Sequence, residues 1–103
     1  MIRVPKLRRA ARIEVDRAVI WYEEKRIGLG VEFLSEFRKT MQKIAERPTS
    51  FPIDYRKARR ALLDRFPYKA YFLIGEDGTI EIVGVLHSSQ KTSRLRGRFK
   101  SSE

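Results

Sequence analysis

The chain has 103 residues, a formal net charge of +10, no cysteine and a single histidine, His87. This length suits one domain around one core, and the absence of cysteine, with one histidine, excludes disulfides and leaves no metal or cofactor site to expect. The charge exceeds the roughly 2–8 that solubility asks of a small domain, so it points to an anionic partner, nucleic acid or an acidic protein.

Met1–Val4 reads as a short edge strand that Pro5 keeps from extending. The basic N-terminus is followed by no apolar run of signal-peptide length. No segment approaches the roughly 18 apolar residues of a membrane span, so the chain reads as cytoplasmic, with no membrane partner. Ala11–Arg26 reads as a helix whose stripe is Ala11, Val15, Ala18, Val19 and Tyr22. Ile13, Ile20 and Trp21 lie off that stripe, which predicts a helix buried on more than one side. Gly28 and Gly30 mark a tight turn. Leu29–Arg47 is the second helix, with Phe33, Phe37, Met41 (or Thr40) and Ile44 on its apolar face, stopped by Pro48. So short a link predicts an antiparallel helical hairpin.

Thr49–Lys57 reads as a loop anchored by Phe51 and Tyr55. Three strands follow, at Arg59–Leu63, Tyr68–Ile74 and Thr79–His87, the last two joined by the hairpin signal Asp77-Gly78. The third strand is apolar on both faces, which suits a central strand under helices. Gly84 within it signals a bulge or a close backbone approach. Residues 88–103 are polar and basic, with Lys91, Arg94, Arg96, Arg98 and Lys100. Leu95 and Phe99 are four apart, as in a short docking helix, and a disordered tail is the alternative. The predicted fold is α+β: a helical hairpin packed on a small antiparallel sheet, in the order β-α-α-β-β-β, with one domain over 1–103.

Several side chains are candidates for chemistry. RNA cleavage at a 2′-hydroxyl needs a proton acceptor, a proton donor and cations on the phosphate. Arg60, Arg65, Lys69 and His87 are the set that would supply them. His87, the one side chain with an ordinary pKa near neutrality, reads first as a structural histidine bonded to backbone at a strand end, with a general base as the alternative. Arg59 and Arg60 are adjacent on a strand, so at most one lies on the helix-free face. They suit either a charged edge strand or a contact to a carboxylate or phosphate. Trp21-Tyr22 reads as hairpin core, with a stacking platform for bases as the alternative. Glu23 and Glu24 splay apart on the helix and read as a solvated or i,i+4-paired face.

The ordered set Trp21-Tyr22-Glu23-Glu24, Gly28-Leu29-Gly30, Phe33-Leu34, Ile44-Ala45-Glu46-Arg47-Pro48 and Phe51-Pro52 resembles the RelE/ParE superfamily of bacterial toxin–antitoxin toxins. Arg59-Arg60-Ala61-Leu62-Leu63, Arg65-Phe66-Pro67-Tyr68 and Val85-Leu86-His87 extend the resemblance over most of the chain. It implies a small basic toxin, plasmid-stabilising in type, neutralised by a cognate antitoxin protein whose flexible segment wraps it, often in a heterotetramer. RelE-like members cleave messenger RNA at the ribosome. ParE-like members poison DNA gyrase and are not enzymes. The glycine-linked hairpin with Trp21-Tyr22 looks more like the ParE side. Two departures count against a nuclease: Ser88-Ser89-Gln90 stands where RelE-like members carry cations, and no tyrosine follows Tyr71. On the ParE-like expectation, Arg59, Arg60, Arg65, Lys91, Arg94, Arg96 and Arg98 contact the target or antitoxin. An inactive toxin-fold binding module is the further alternative.

Overall fold

The computed structural model describes residues 4–99. The order is β1 (Lys6–Leu7), α1 (Arg9–Lys25), α2 (Leu29–Glu46), β2 (Ile53–Tyr55), β3 (Ala58–Leu62), β4 (Tyr68–Ile74) and β5 (Ile80–His87). Single turns of 3-10 helix cover Pro48–Ser50 and Thr92–Leu95. The expected Met1–Val4 strand falls largely outside the described residues, and Val4 itself is in no strand. The observed strand begins after Pro5 instead.

The five strands form one sheet in the order β1-β5-β4-β3-β2. It is mixed rather than wholly antiparallel, because β1 runs parallel to β5, pairing Lys6 with Glu81 and Leu7 with Ile82. A helix, not a tight turn, follows β1, so the chain is free to join β5 in the parallel sense. The segment expected as a loop holds β2, which pairs irregularly on β3. β3 is therefore an inner strand, not the charged edge considered for Arg59-Arg60. Three residues bounded by Pro52 are too few to show an alternation in sequence.

α1 buries Ala11, Val15 and Ala18, and α2 buries Phe33, Phe37, Thr40 and Ile44. Thr40, rather than Met41, takes the buried position, and its hydroxyl donates to the Glu36 carbonyl at 3.1 Å. Together with Ala61, Ala70, Phe72, Ile80, Ile82 and Val85 these side chains make the main core. The expected second buried side of α1 is not there: Ile20 is 58% and Trp21 51% exposed. The sheet and α2 cover one flank of α1, and among the described residues nothing stands outside the other. Gly28 takes φ +91, the left-handed geometry that opens α2 directly after α1. Glu23 is not a solvated carboxylate. Its two oxygens accept the backbone N–H groups of Gly28 and Gly30, both at 2.9 Å, so α1 caps the N-terminus of α2.

The other sheet face has its own small core, formed by Ala58, Tyr71, Val83, Leu86 and Leu95. Register makes room for Leu95. β4 and β5 slip by one residue between Tyr71↔Gly84 and Phe72↔Ile82, a bulge at Val83. A Cβ on Gly84 would collide with Leu95 Cδ2 and crowd Arg98, so glycine makes the notch into which the C-terminal segment docks. Phe99 adds a ring contact to Tyr55 at 5.9 Å. Residues 88–99 are thus a docked strap, and the remainder of the tail, with Lys100, lies outside the described residues.

Leu95→Ala is expected to cost about 2–5 kcal/mol in denaturant unfolding, the range for emptying a buried leucine site. A change under about 0.5 kcal/mol, usual for surface positions, would mean that the strap does not hold the sheet.

Candidate functional site

Beyond Leu7 the outer edge of β5 has no partner strand among the described residues, and a groove of about 590 Å³ opens there between α1 and the residues that follow β5. Side chains meet the edge groups. The Val85 N–H donates to Glu14 Oε1 at 2.9 Å, Arg98 Nη1 donates to the Val83 carbonyl at 3.1 Å, and the His87 N–H donates to Gln90 Oε1 at 2.8 Å. Glu14 and Arg98 also pair with each other at 3.1 Å. An open strand edge would otherwise template pairing with another chain.

The groove walls carry Trp21, Arg17, Tyr68, His87 and Arg94. Trp21 meets Tyr22 edge-on at 5.0 Å, and Lys25 Nζ lies 4.6 Å from its ring centre. Burial raises the phenol pKa of Tyr22 and Tyr68, so both remain neutral hydroxyl groups. His87 stacks edge-on to Tyr68 at 5.2 Å. The Ser89 backbone N–H donates to His87 Nδ1 at 3.0 Å. A backbone N–H can only donate, so the neutral ring carries its proton on Nε2. The histidine is held to backbone at the strand end, as its position in the sequence suggests. Arg17 and Arg94 make no ion pair among the described residues. The single acidic residue in the groove lining, Glu14, is engaged by Arg98 and Val85.

The other expected site residues are divided between the two sheet faces. Arg59 turns to the helix side and donates to the Phe51 carbonyl at 2.7 Å, fastening the chain ahead of β2. Arg60, on the helix-free face, pairs with Asp54 at 3.4 Å. Asp54 also accepts the Tyr71 hydroxyl, whose pKa is pushed up to about 12, by burial first and by this bond second. Arg65 sits in the β3–β4 turn at φ +70 and reaches Glu32 on α2 at 2.6 Å. Lys69 and His87 oppose Leu86 and Tyr68 at successive pairs of the β4–β5 ladder. Side chains alternate along a strand, so they project to opposite faces. Arg60, Arg65, Lys69 and His87 therefore form no single cluster. In the strap, Lys91, Arg94 and Arg96 are exposed, while Arg98 is half-buried on Glu14.

Arg17, Glu14 and Gln90 escaped the sequence reading. The available signal was Glu14, Arg17, Ala18 and Trp21 at spacings of three and four, one flank of α1 beside its buried stripe. Which way that flank faces depends on where β5 lies.

No family model matches the chain, and no curated protein sequence matches it. Among solved structures, it is similar to a chain of the chromosomal ParDE TA system from P. aeruginosa. The TM-score is 0.73 at 16% sequence identity, over 84% of this chain and 96% of that one. The chain thus shares the fold of that ParDE-system chain, here two helices on a five-stranded mixed sheet. Among the described residues no helix is long and apolar enough to cross a membrane.

The Glu32–Arg65 pair has a pH signature. The hydrogen bond from Arg65 is the largest cause holding the Glu32 carboxyl below its ordinary value. A carboxylate with a lowered folded-state pKa stabilises above the unfolded value, and that stabilisation is lost as pH falls through the folded one. Glu32→Gln should therefore lower the melting temperature at neutral pH, with the gap to wild type closing below the usual carboxylate range. A gap independent of pH would show that the ion pair is not its source.

Proposed function

We propose that this chain is the toxin of a type II toxin–antitoxin pair, that it acts by binding DNA gyrase without chemistry of its own, and that a cognate antitoxin neutralises it. The observation that carries the reading is the fold shared along nearly the whole of a chain from the ParDE TA system. A likeness at 16% identity speaks to fold, so the choice of target rests on this chain's own residues. Arg60 and Arg65 hold intramolecular ion pairs, and Lys69 and His87 point to opposite faces of the sheet. That placement favours a binding toxin over a ribonuclease, which needs its acid, base and phosphate cations around one bond. Recognition falls to the exposed cations of the strap, Lys91, Arg94 and Arg96, which suit an acidic surface on target or antitoxin. Arg59, Arg60, Arg65 and Arg98 take part by holding the surfaces that present them.

The test follows labelled thymidine and labelled methionine incorporation in bacteria after tightly controlled induction. DNA synthesis is expected to stop first. Lys91→Glu with Arg96→Glu should restore growth without loss of soluble protein, and a matched Arg38→Glu with Arg47→Glu variant, on α2 and its C-cap, should remain toxic. Translation stopping first would replace the gyrase reading with ribosome-dependent messenger RNA cleavage. Arrest of neither would leave a toxin-fold binding module. Removing residues 92–103 is a poor substitute for these variants, because it takes away Leu95 and Arg98, which the sheet needs.

A further inference from the structure

Of the residues lining the groove beside β5, only Arg94 enters the reading above. Its volume, about 590 Å³, falls in the roughly 300–1,000 Å³ range of small-ligand sites. Its chemistry is selective. The Val83 carbonyl and the N–H groups of Val85 and His87 at the edge of β5 are already bonded to side chains, so the groove offers an incoming strand few of the ladder groups it would need. It offers aromatic rings and unpaired positive charge instead. Trp21, the chain's only tryptophan, is half-exposed on one wall although its neighbour Tyr22 packs into the core. Arg17 on α1 and Arg94 in the strap bring two guanidinium groups from separate elements, neither ion-paired among the described residues. The tautomer that Ser89 imposes makes His87 a donor at Nε2. Glu14, the acid in the lining, is neutralised by Arg98.

We propose that this groove binds a nucleoside phosphate, with the base against Trp21 and the phosphates on Arg17 and Arg94. An aromatic face suits a flat base of any identity, and guanidinium forks suit phosphate oxygens. A free nucleotide and the end of a single strand share this chemistry. A carboxylate-bearing peptide would use the cations but leave the indole and the closed strand edge without a matching partner.

The purified full-length chain is titrated with adenosine triphosphate, guanosine triphosphate, inorganic triphosphate and a short single-stranded thymidine oligonucleotide. Calorimetry gives affinity, and the fluorescence of the sole tryptophan reports occupancy at Trp21. Saturable binding of a nucleotide or of the oligonucleotide is expected, with the fluorescence changing in step. Arg17→Ala with Arg94→Ala should weaken it about tenfold or more, the effect of losing a hydrogen bond to a charged group. Arg38→Ala with Arg47→Ala, which removes the same charge from α2 and its C-cap, should change it by no more than about twofold, as screened surface charge does. Trp21→Leu, at a half-exposed position where folding is not at stake, should weaken nucleotide about fivefold or more, the lower end of a base stack, and leave inorganic triphosphate unchanged. If the triphosphates bind more tightly than the oligonucleotide, the source is a free nucleotide; the reverse order assigns the end of a strand. No saturable binding of any probe overturns the proposal. So does equal weakening in the two arginine pairs, which would indicate only a diffuse positive field. Gyrase is absent from the measurement, so its result is independent of the target proposed above.

Discussion

Strand β5 is apolar on both faces, and that constraint organises the molecule. Ile80, Ile82 and Val85 face the helical hairpin, while Val83 and Leu86 face away from it. A strand of this kind needs two covers. The hairpin is one. The other is a short C-terminal strap whose single fully buried side chain, Leu95, enters the notch at Gly84. The bulge at Val83 lets five neighbouring residues serve both cores, because it resets the alternation of faces after Ile82.

The strap brings a second consequence. Its anchor Arg98 reaches Glu14 on α1 and the Val83 carbonyl, while Arg8 at the start of α1 donates to the Arg98 carbonyl at 2.6 Å and to Glu81 at 2.7 Å. Arg8 is nearly buried, so these charge-assisted bonds work in a drier setting than surface pairs do. One network thus ties Arg8 and Arg98 to the same strand edge and occupies groups there that a foreign strand would need. An edge closed by side chains rather than by a neighbouring strand leaves space beside it, and the groove under Trp21 is that space.

The high positive charge divides by the same logic. Arg8, Arg59, Arg60, Arg65 and Arg98 are structural ties, each joined to a carboxylate or carbonyl outside its own element. Arg17, Lys91, Arg94 and Arg96 are exposed and lack such ties among the described residues. A net charge alone treats the two groups alike. Only the second can meet a partner without first breaking the fold, which is why truncating the strap and reversing its exposed charges are different experiments.

The amino-acid sequence by itself determined the helical hairpin, because periodic apolar residues and a glycine turn are local signals. The Tyr68–Ile74 and Ile80–His87 strands were legible in the same way, as was the significance of Gly84. It could show that Arg59 and Arg60 face opposite ways, since alternation is a property of the strand. Tertiary structure decided what depends on distant partners. β1 lay past Pro5 and paired in parallel; β2 hid in an apparent loop; the C-terminal segment docked instead of trailing. Trp21 remained half-exposed because no element packs on that flank of α1, and Glu23 became a cap because the hairpin turn brought two N–H groups to it. Which cations are free, and that two of them share a groove with the only tryptophan, follows from register and packing. Those are long-range choices, and no window of the chain contains both partners of such a contact.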